Sequence, residues 1–443
     1  MHKEVIVIGA GLAGCEASFQ LARRGVKVKL YEMKPKEFSE AHSNKNFAEL
    51  VCSNSLRGND LTNAPGLLKE ELRLLNSLII KIADMCRVPA GGALAVDRDK
   101  FAELITKEIN NNPNIEVINE RVDKIDLTKP TIIATGPLTA PSLSENLKEI
   151  LGDDYLYFFD AAAPIVTHES IDHNKAFVAD RYGKGESDGD YLNCGMNKEE
   201  YENFYNELVK AETAKLKDFE NTKVFQGCMP VEVMAKTGFK GLLFGPLKPV
   251  GLENPITGER YFAVVQLRKE NTENKLYNLV GFQTNLTYSE QKRVFRLIPA
   301  LKNAEFVKYG VMHRNTFINA PSVLNKYYQV NAHKNIFIAG QLSGVEGYIE
   351  STASGLYSAI NMVNFINDNE FVTFTSDTAI GALPHYISFS SSKNFQPMKI
   401  NWGIIDPLTE RIKDKKLKRL TLASRAIESL NNIIKKGEQD GTI

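Results

Sequence analysis

The spacing of apolar positions changes several times along the chain. Val5-Ile6-Val7-Ile8 is an unbroken apolar run, as expected of a strand covered on both faces in a parallel sheet. A glycine-rich turn follows, Glu16 to Arg24 reads as a helix, and Val26 to Tyr31 is a second strand ending at Glu32. From Phe38 to Arg57 the pattern is irregular and polar, which suggests a functional loop. Leu68, Leu72, Leu75, Ile79 and Ile82 have helical spacing within Leu67 to Ile82. Pro89-Ala90-Gly91-Gly92 is a tight turn, and Asp99 to Asn110 reads as another helix. Ile115 to Ile118 and Thr131 to Ala134 are short strands, the latter stopping at Thr135-Gly136.

After about residue 155 the regularity shifts. A charged helix is expected from Lys198 to about Lys217, then strand-like and glycine-turn segments through Asn285. The early pattern returns at Ile336-Phe337-Ile338-Ala339, which ends in Gly340-Gln341 and leads into a helix from about Ser351 to Ile366. The middle therefore reads as an insertion. Residues 1–160 and 322–443 would make one discontinuous α/β domain, and 161–321 an inserted α+β domain. A length of 443 residues is in keeping with more than one core.

The first turn, Gly9-x-Gly11-x-x-Gly14, has a strand before it, a helix after it and Glu32 at the end of the next strand. Glycines there let a pyrophosphate approach the backbone, the helix N-terminus offers free N–H groups, and Glu32 is placed to accept from a ribose hydroxyl. That set serves NAD and FAD alike. The later strand ends at Gly136 and at Gly340-Gln341 favour FAD and a glutathione-reductase-like, Rossmann-type FAD-binding domain.

Charge changes the picture little, since 54 basic residues balance 54 acidic ones and any polyanion must be met by a local patch. No stretch approaches the roughly 20 apolar residues that span a bilayer, so no membrane role is expected. The N-terminus runs straight into a strand, which makes a cytoplasmic location the expectation. Five cysteines at irregular spacing give neither a disulfide framework nor a metal motif, so no metal is expected. Cys15, Cys86 and Cys194 read as packing residues. Cys52, in a polar run, and Cys228, between a glycine and Met229-Pro230, are each either a loop thiol of no special role or a nucleophile. His313 is a structural histidine or a ligand contact. Arg268 and Lys248 are solvated charges or contacts for an anionic ligand such as a folate tail. Arg411 to Lys436 is an amphipathic helix candidate with Ile412, Leu420, Ile427, Leu430 and Ile434 as its apolar stripe. Its Lys415, Lys416, Lys418 and Arg419 suit either a solvated face or a phosphate backbone.

Longer runs are more specific. Val7 to Ala17, Ala48-Glu49-Leu50-Val51-Cys52-Ser53-Asn54-Ser55-Leu56-Arg57, Gly66 to Glu71 and Val88 to Arg98 resemble the folate- and FAD-dependent RNA (uracil-5-)-methyltransferases. So do Gly227 to Glu232, Phe244-Gly245-Pro246, Met312 to Phe317, Ala339-Gly340-Gln341 and Gly344 to Tyr348. The resemblance implies transfer of a one-carbon unit from 5,10-methylenetetrahydrofolate to carbon 5 of a uracil in RNA, with FAD as cofactor and NAD(P)H as reductant. It further implies that Cys228 adds to carbon 6 of the uracil, that Cys52 works on the other side of the reaction centre, and that His313 stacks on the folate. Gln226, Lys236 to Gly241, Lys399 and Trp402 depart from the family pattern. The T-loop uridine 54 of tRNA is the expected target, with a uridine of large-subunit ribosomal RNA as alternative. A related flavoprotein that modifies the wobble uridine with a partner GTPase, and a non-catalytic flavin-binding scaffold on RNA, are further alternatives.

Overall fold

The structure is a computed structural model that describes residues 3–152, 155–161, 163–183, 189–214, 229–269, 274–310, 312–392 and 395–443, with only the backbone of 155–161 and 312–315. Five parallel strands form the first sheet, in the spatial order Ile336–Ile338, Thr131–Ile133, Glu4–Ile8, Lys27–Tyr31 and Ile115–Ile118. Val7 lies opposite Leu30 on one side and Ile132 on the other, and Ile132 lies opposite Phe337. All four are fully buried, which explains the unbroken apolar runs. The strand from the far end of the chain thus completes a sheet begun by the first residues. The domain is discontinuous.

Helix Leu12–Arg23 links the first two strands and packs on helix Tyr348–Ile366. A Cβ on Gly355 would come 2.3 Å from the Ala13 carbonyl oxygen, so the two backbones touch. This contact lays the late Gly340 segment across the early glycine turn.

Six antiparallel strands make the inserted sheet, in the order Ala176–Val178, Tyr191–Met196, Ala263–Lys269, Leu276–Leu279, Ile165–Thr167 and Phe306–Lys308. Alternation sends Ala263, Val265 and Leu267 into its main core and Val264 to the opposite face with Phe177 and Leu252. Tyr155–Ala161 and Met312–Ile318 pair antiparallel as a separate two-stranded ribbon. No helix among the described residues is long and apolar enough to cross a membrane.

Several helices differ from the periodicity. The span Leu67 to Ile82 is two helices, Ala64–Leu74 and Leu78–Met85, broken where Asn76 takes a φ of +57°. Buried Glu16 makes that break, accepting from Ser77 Oγ at 2.8 Å and Ile79 N at 3.0 Å. The apolar rhythm runs straight through it. The helix expected from Glu16 starts at Leu12, and the one expected from Ser351 starts at Tyr348, after Gly347 with φ +118°. An Asn197–Glu200 capping box opens Lys198–Lys210, which ends short of Lys217. The last helix is Lys415–Asp440, because Asp414 caps it by accepting from Leu417 N at 2.6 Å. Ile412 therefore lies outside it, and Leu420 stays 38% exposed while Leu422, Ala423, Ala426 and Leu430 are buried.

Candidate active site

The glycines converge on one cleft at the carboxyl ends of the parallel strands. Its empty space, open solvent included, is about 1130 Å³. Gly9, Gly11, Glu32, Gly136, Gly340 and Gln341 all line it. Gly9 has a φ of +97°, and a Cβ there would meet the Ala134 carbonyl oxygen at 2.7 Å. A Cβ on Gly14 would fall 1.8 Å from the Gly9 oxygen, so Gly14 is what lets the helix press against the turn. A Cβ on Gly11 would meet no protein atom within 4 Å. Gly11 faces the space a pyrophosphate needs. The helix behind it has no side-chain cap and no acid in its first turn, which leaves its N-terminal dipole for an anion.

Glu32 is 7% exposed and accepts from Ala10 N at 2.7 Å and Lys34 N at 3.0 Å. Each oxygen takes one backbone donor and keeps acceptor capacity for ribose hydroxyls. Lys34 Nζ is spent on the carbonyls of Asn44 and Asn46. At the other end, Gly340 holds φ +75° with its N–H on Ser354 Oγ at 2.7 Å, and Gln341 donates to Glu346. The described residues fit an adenine dinucleotide such as FAD.

Val51 and Tyr348 line the same cleft, and Cys52 follows Val51. The loop from Leu50 to Asn54 is irregular but tied from four directions. Arg98 Nη1 donates to Leu50 O, and Lys308 Nζ donates to Val51 O at 3.2 Å. Cys52 N and Ser53 N donate to the Tyr348 hydroxyl at 2.9 and 3.2 Å. Burial, then the nearby Cys52, pushes the Tyr348 phenol far above its ordinary range, so it stays a neutral hydroxyl. Arg268 supplies the fourth tie, through Nη2 to Ser53 Oγ at 2.6 Å and Nε to Asn54 Oδ1 at 2.8 Å. Cys52 is half-buried at the centre of this arrangement.

The other cysteines divide as their sequence context suggests. Cys15 and Cys194 are fully buried and Cys86 nearly so, and burial pushes the Cys194 thiol up to about 12. Such thiols are inert. Cys228 lies outside the described residues. So does the side chain of His313, whose backbone sits in Met312–Ile318 opposite Asp160. Arg268 is buried beside the Cys52 loop. Lys415, Lys416 and Lys418 are exposed and Arg419 half-exposed on the last helix, whose packing is against Ala64–Leu74; none of the four lines the cleft. Residue-by-residue reading missed Arg98, Lys308, Asn54 and Tyr348 as loop anchors. Arg98, Asn54 and Tyr348 do fall within the longer runs that carried the resemblance, which was the available signal.

Fold and cleft together define a dinucleotide-binding protein of the flavoprotein type. Residues 4–370 match the family model described as glucose inhibited division protein A. The chain is 60% identical to the methylenetetrahydrofolate–tRNA-(uracil-5-)-methyltransferase TrmFO of Acetivibrio thermocellus, over 97% of this chain and 98% of that one. It is 57% identical to the enzyme of the same name from Anoxybacillus flavithermus, over 98% of this chain and the whole of that one. Among solved structures, GidA of Aquifex aeolicus in its form I crystal superposes with a TM-score of 0.69 at 16% identity, covering 99% of this chain and 79% of that one. The chain belongs to the methylenetetrahydrofolate–tRNA-(uracil-5-)-methyltransferase family and, more broadly, to that of glucose inhibited division protein A.

Proposed function

We propose that the protein transfers the one-carbon unit of 5,10-methylenetetrahydrofolate to carbon 5 of a uracil in tRNA, forming 5-methyluridine with FAD as cofactor. The carrying observation is the identity of 55–60%, over nearly the whole of both chains, to relatives named for that reaction. The T-loop uridine 54 is the proposed position, NADH or NADPH the proposed reductant and the cytoplasm the proposed location.

FAD, when bound, would supply the redox chemistry and carry the one-carbon unit between folate and uracil. The protein's residues do the rest. Gly11 and the N–H groups of Leu12–Arg23 receive the pyrophosphate, while Glu32 fixes the ribose. The Cys228 thiolate adds to carbon 6 of the uracil, which makes carbon 5 nucleophilic. Once carbon 5 has bonded the one-carbon unit, Cys52 accepts the proton that carbon 5 gives up, and the thiolate of Cys228 is expelled as the 5,6 double bond re-forms. The ties from Tyr348, Arg268, Lys308 and Arg98 hold the Cys52 loop in place for that transfer. His313 stacks on the folate ring.

The test is direct. Purified protein, FAD, NADPH and methylenetetrahydrofolate are incubated with an unmodified tRNA transcript, and nucleosides are analysed by mass spectrometry. 5-Methyluridine at position 54 is expected. A yellow, reducible protein that methylates only a ribosomal RNA fragment would move the target, and one that methylates neither RNA would end the proposal.

A further inference from the structure

Phe244 is 81% exposed, the highest value for any aromatic side chain among the described residues. Burying such a side chain is favourable, so leaving it in water forgoes a substantial gain. The backbone under it is well fixed. Leu242–Phe244 is one 3-10 turn, closed by Gly245 N on Leu242 O at 3.1 Å and Leu247 N on the same oxygen at 3.0 Å. Leu242 and Leu247 are fully buried and anchor the turn at both ends. Phe244 is therefore displayed on a rigid support.

That support is built onto the segment that follows Cys228. A Cβ on Gly281 would come 2.6 Å from the Cβ of Pro246, which seats the turn on Gly281-Phe282-Gln283. The Gln283 carbonyl accepts from Val231 N at 2.7 Å. Val231 opens helix Val231–Lys236, and Met234 of that helix lies against Gly241 and Gly245. Phe244 and the entry to the Cys228 segment thus belong to one packed unit.

Charge agrees. Between Met229 and Val250 the charged residues are Lys236, Lys240, Lys248 and Glu232. Lys236 and Lys240 are exposed and Lys248 half-exposed. Glu232 is buried and accepts from Thr284 Oγ1 and Asn285 N, both at 2.8 Å. What this segment shows to solvent is an aromatic ring and three cations. An unpaired base stacks on such a ring while flanking phosphates meet the cations, and that recognition is typical of single-stranded RNA.

We propose that Phe244 stacks on an unpaired base next to the target uridine, with Lys236, Lys240 and Lys248 contacting neighbouring phosphates. This rests on the RNA reading above and adds the surface that receives the RNA. The FAD-loaded full-length protein tests it, by binding of a labelled tRNA transcript and by steady-state methylation. Phe244→Ala is expected to weaken tRNA affinity about tenfold, with FAD content and the KM for methylenetetrahydrofolate unchanged. Phe244→Tyr and Phe244→Trp retain the ring and keep affinity within about twofold of wild type. Each of Lys236→Gln, Lys240→Gln and Lys248→Gln makes log affinity less steep in log salt by about one. Wild-type tRNA affinity in Phe244→Ala overturns the proposal, as does a rise in the folate KM in place of the tRNA effect. Should wild type itself neither bind nor methylate RNA, the functional reading fails first and this surface falls with it.

Discussion

Arg268 reaches out of the inserted sheet and donates through Nε to Oδ1 of Asn54, 2.8 Å away, in the loop that carries Cys52. Asn54 answers by donating to the carbonyl of Lys269 at 2.8 Å and to that of Val96 at 3.0 Å. Both side chains are buried, so the polar contacts work in a setting where water competes little. Arg268→Gln is expected to cost about 1.5–3 kcal/mol of stability and to free the loop. Cys52 should then react faster with a thiol reagent, and methylation should fall at least about tenfold with FAD retained. If labelling of Cys52 is unchanged while the folate KM rises, Arg268 is a folate contact instead of a clamp.

Gly14 and Gly11 separate folding from cofactor binding. A Cβ on Gly14 collides with the Gly9 oxygen, so Gly14→Ala should displace the helix and give a colourless protein of lowered thermal stability. Gly11→Ala meets no protein atom, so the apoprotein should melt as wild type does. Its FAD affinity should drop on the order of tenfold, since the methyl fills the approach of the pyrophosphate. Flavin absorbance and apoprotein melting, read side by side, check the pair.

Removing the proposed nucleophile should leave the cofactor untouched. Cys228→Ala is expected to lower methylation by about a thousandfold or more while the flavin spectrum persists. Full activity in that variant would refute the role of Cys228. His313→Ala should raise the KM for methylenetetrahydrofolate selectively, and an unaltered folate affinity would count against stacking.

The last helix tests differently because its cations lie outside the cleft. Neutralising Lys415, Lys416 and Lys418 together to Gln should reduce tRNA affinity and flatten its salt dependence by about three. Identical salt plots for wild type and variant would make these residues a solvated face.

Lys69 provides a pH test. It is fully buried, and its Nζ donates to the carbonyls of Leu56, Gly58 and Pro65 at 2.9, 2.7 and 3.0 Å. Burial pushes its ammonium group down to about 7, from an ordinary value of 10.5. Between those values the unfolded chain holds the proton more tightly than the folded one, so stability rises with pH and is lost as pH falls back through about 7. Lys69→Met removes this dependence. The stability difference between wild type and Lys69→Met, from urea melts at about pH 7 and about pH 10, should grow in favour of wild type. A difference that stays constant would show that the burial effect is offset by the three carbonyls.

The nucleotide fold was legible because its signals are local. A strand buried on both faces, a turn that only glycine fits and an acid one strand later all lie within the first 32 residues. The break between Ala64–Leu74 and Leu78–Met85 was not legible, since Glu16 makes it from across the core while the apolar rhythm continues. Helix Ala379–Phe389 was missed for a similar reason. It contains Pro384, and its first N–H groups are satisfied by the distant, buried Glu71 at 2.8 and 2.7 Å. The irregular stretch from Phe38 is a loop as read as far as Asn54, but Ser55–Gly58 at its end is a short strand paired with Ala93–Val96. What no window could show was that Tyr348, Arg268 and Lys308, scattered over the chain, converge on Val51, Cys52, Ser53 and Asn54.

The strand Ile336–Ile338 joins Thr131–Ile133 only after some two hundred intervening residues have been made. During synthesis the growing chain therefore carries an open parallel edge, apolar on both faces, that nothing nearby in sequence is built to close. The same late segment brings Gly340 to the cleft, so a partly made chain lacks one wall of its own cofactor site. Acquisition of yellow colour should lag translation of the first half and coincide with closure of the edge. The flavin is then a reporter of assembly as well as a reagent.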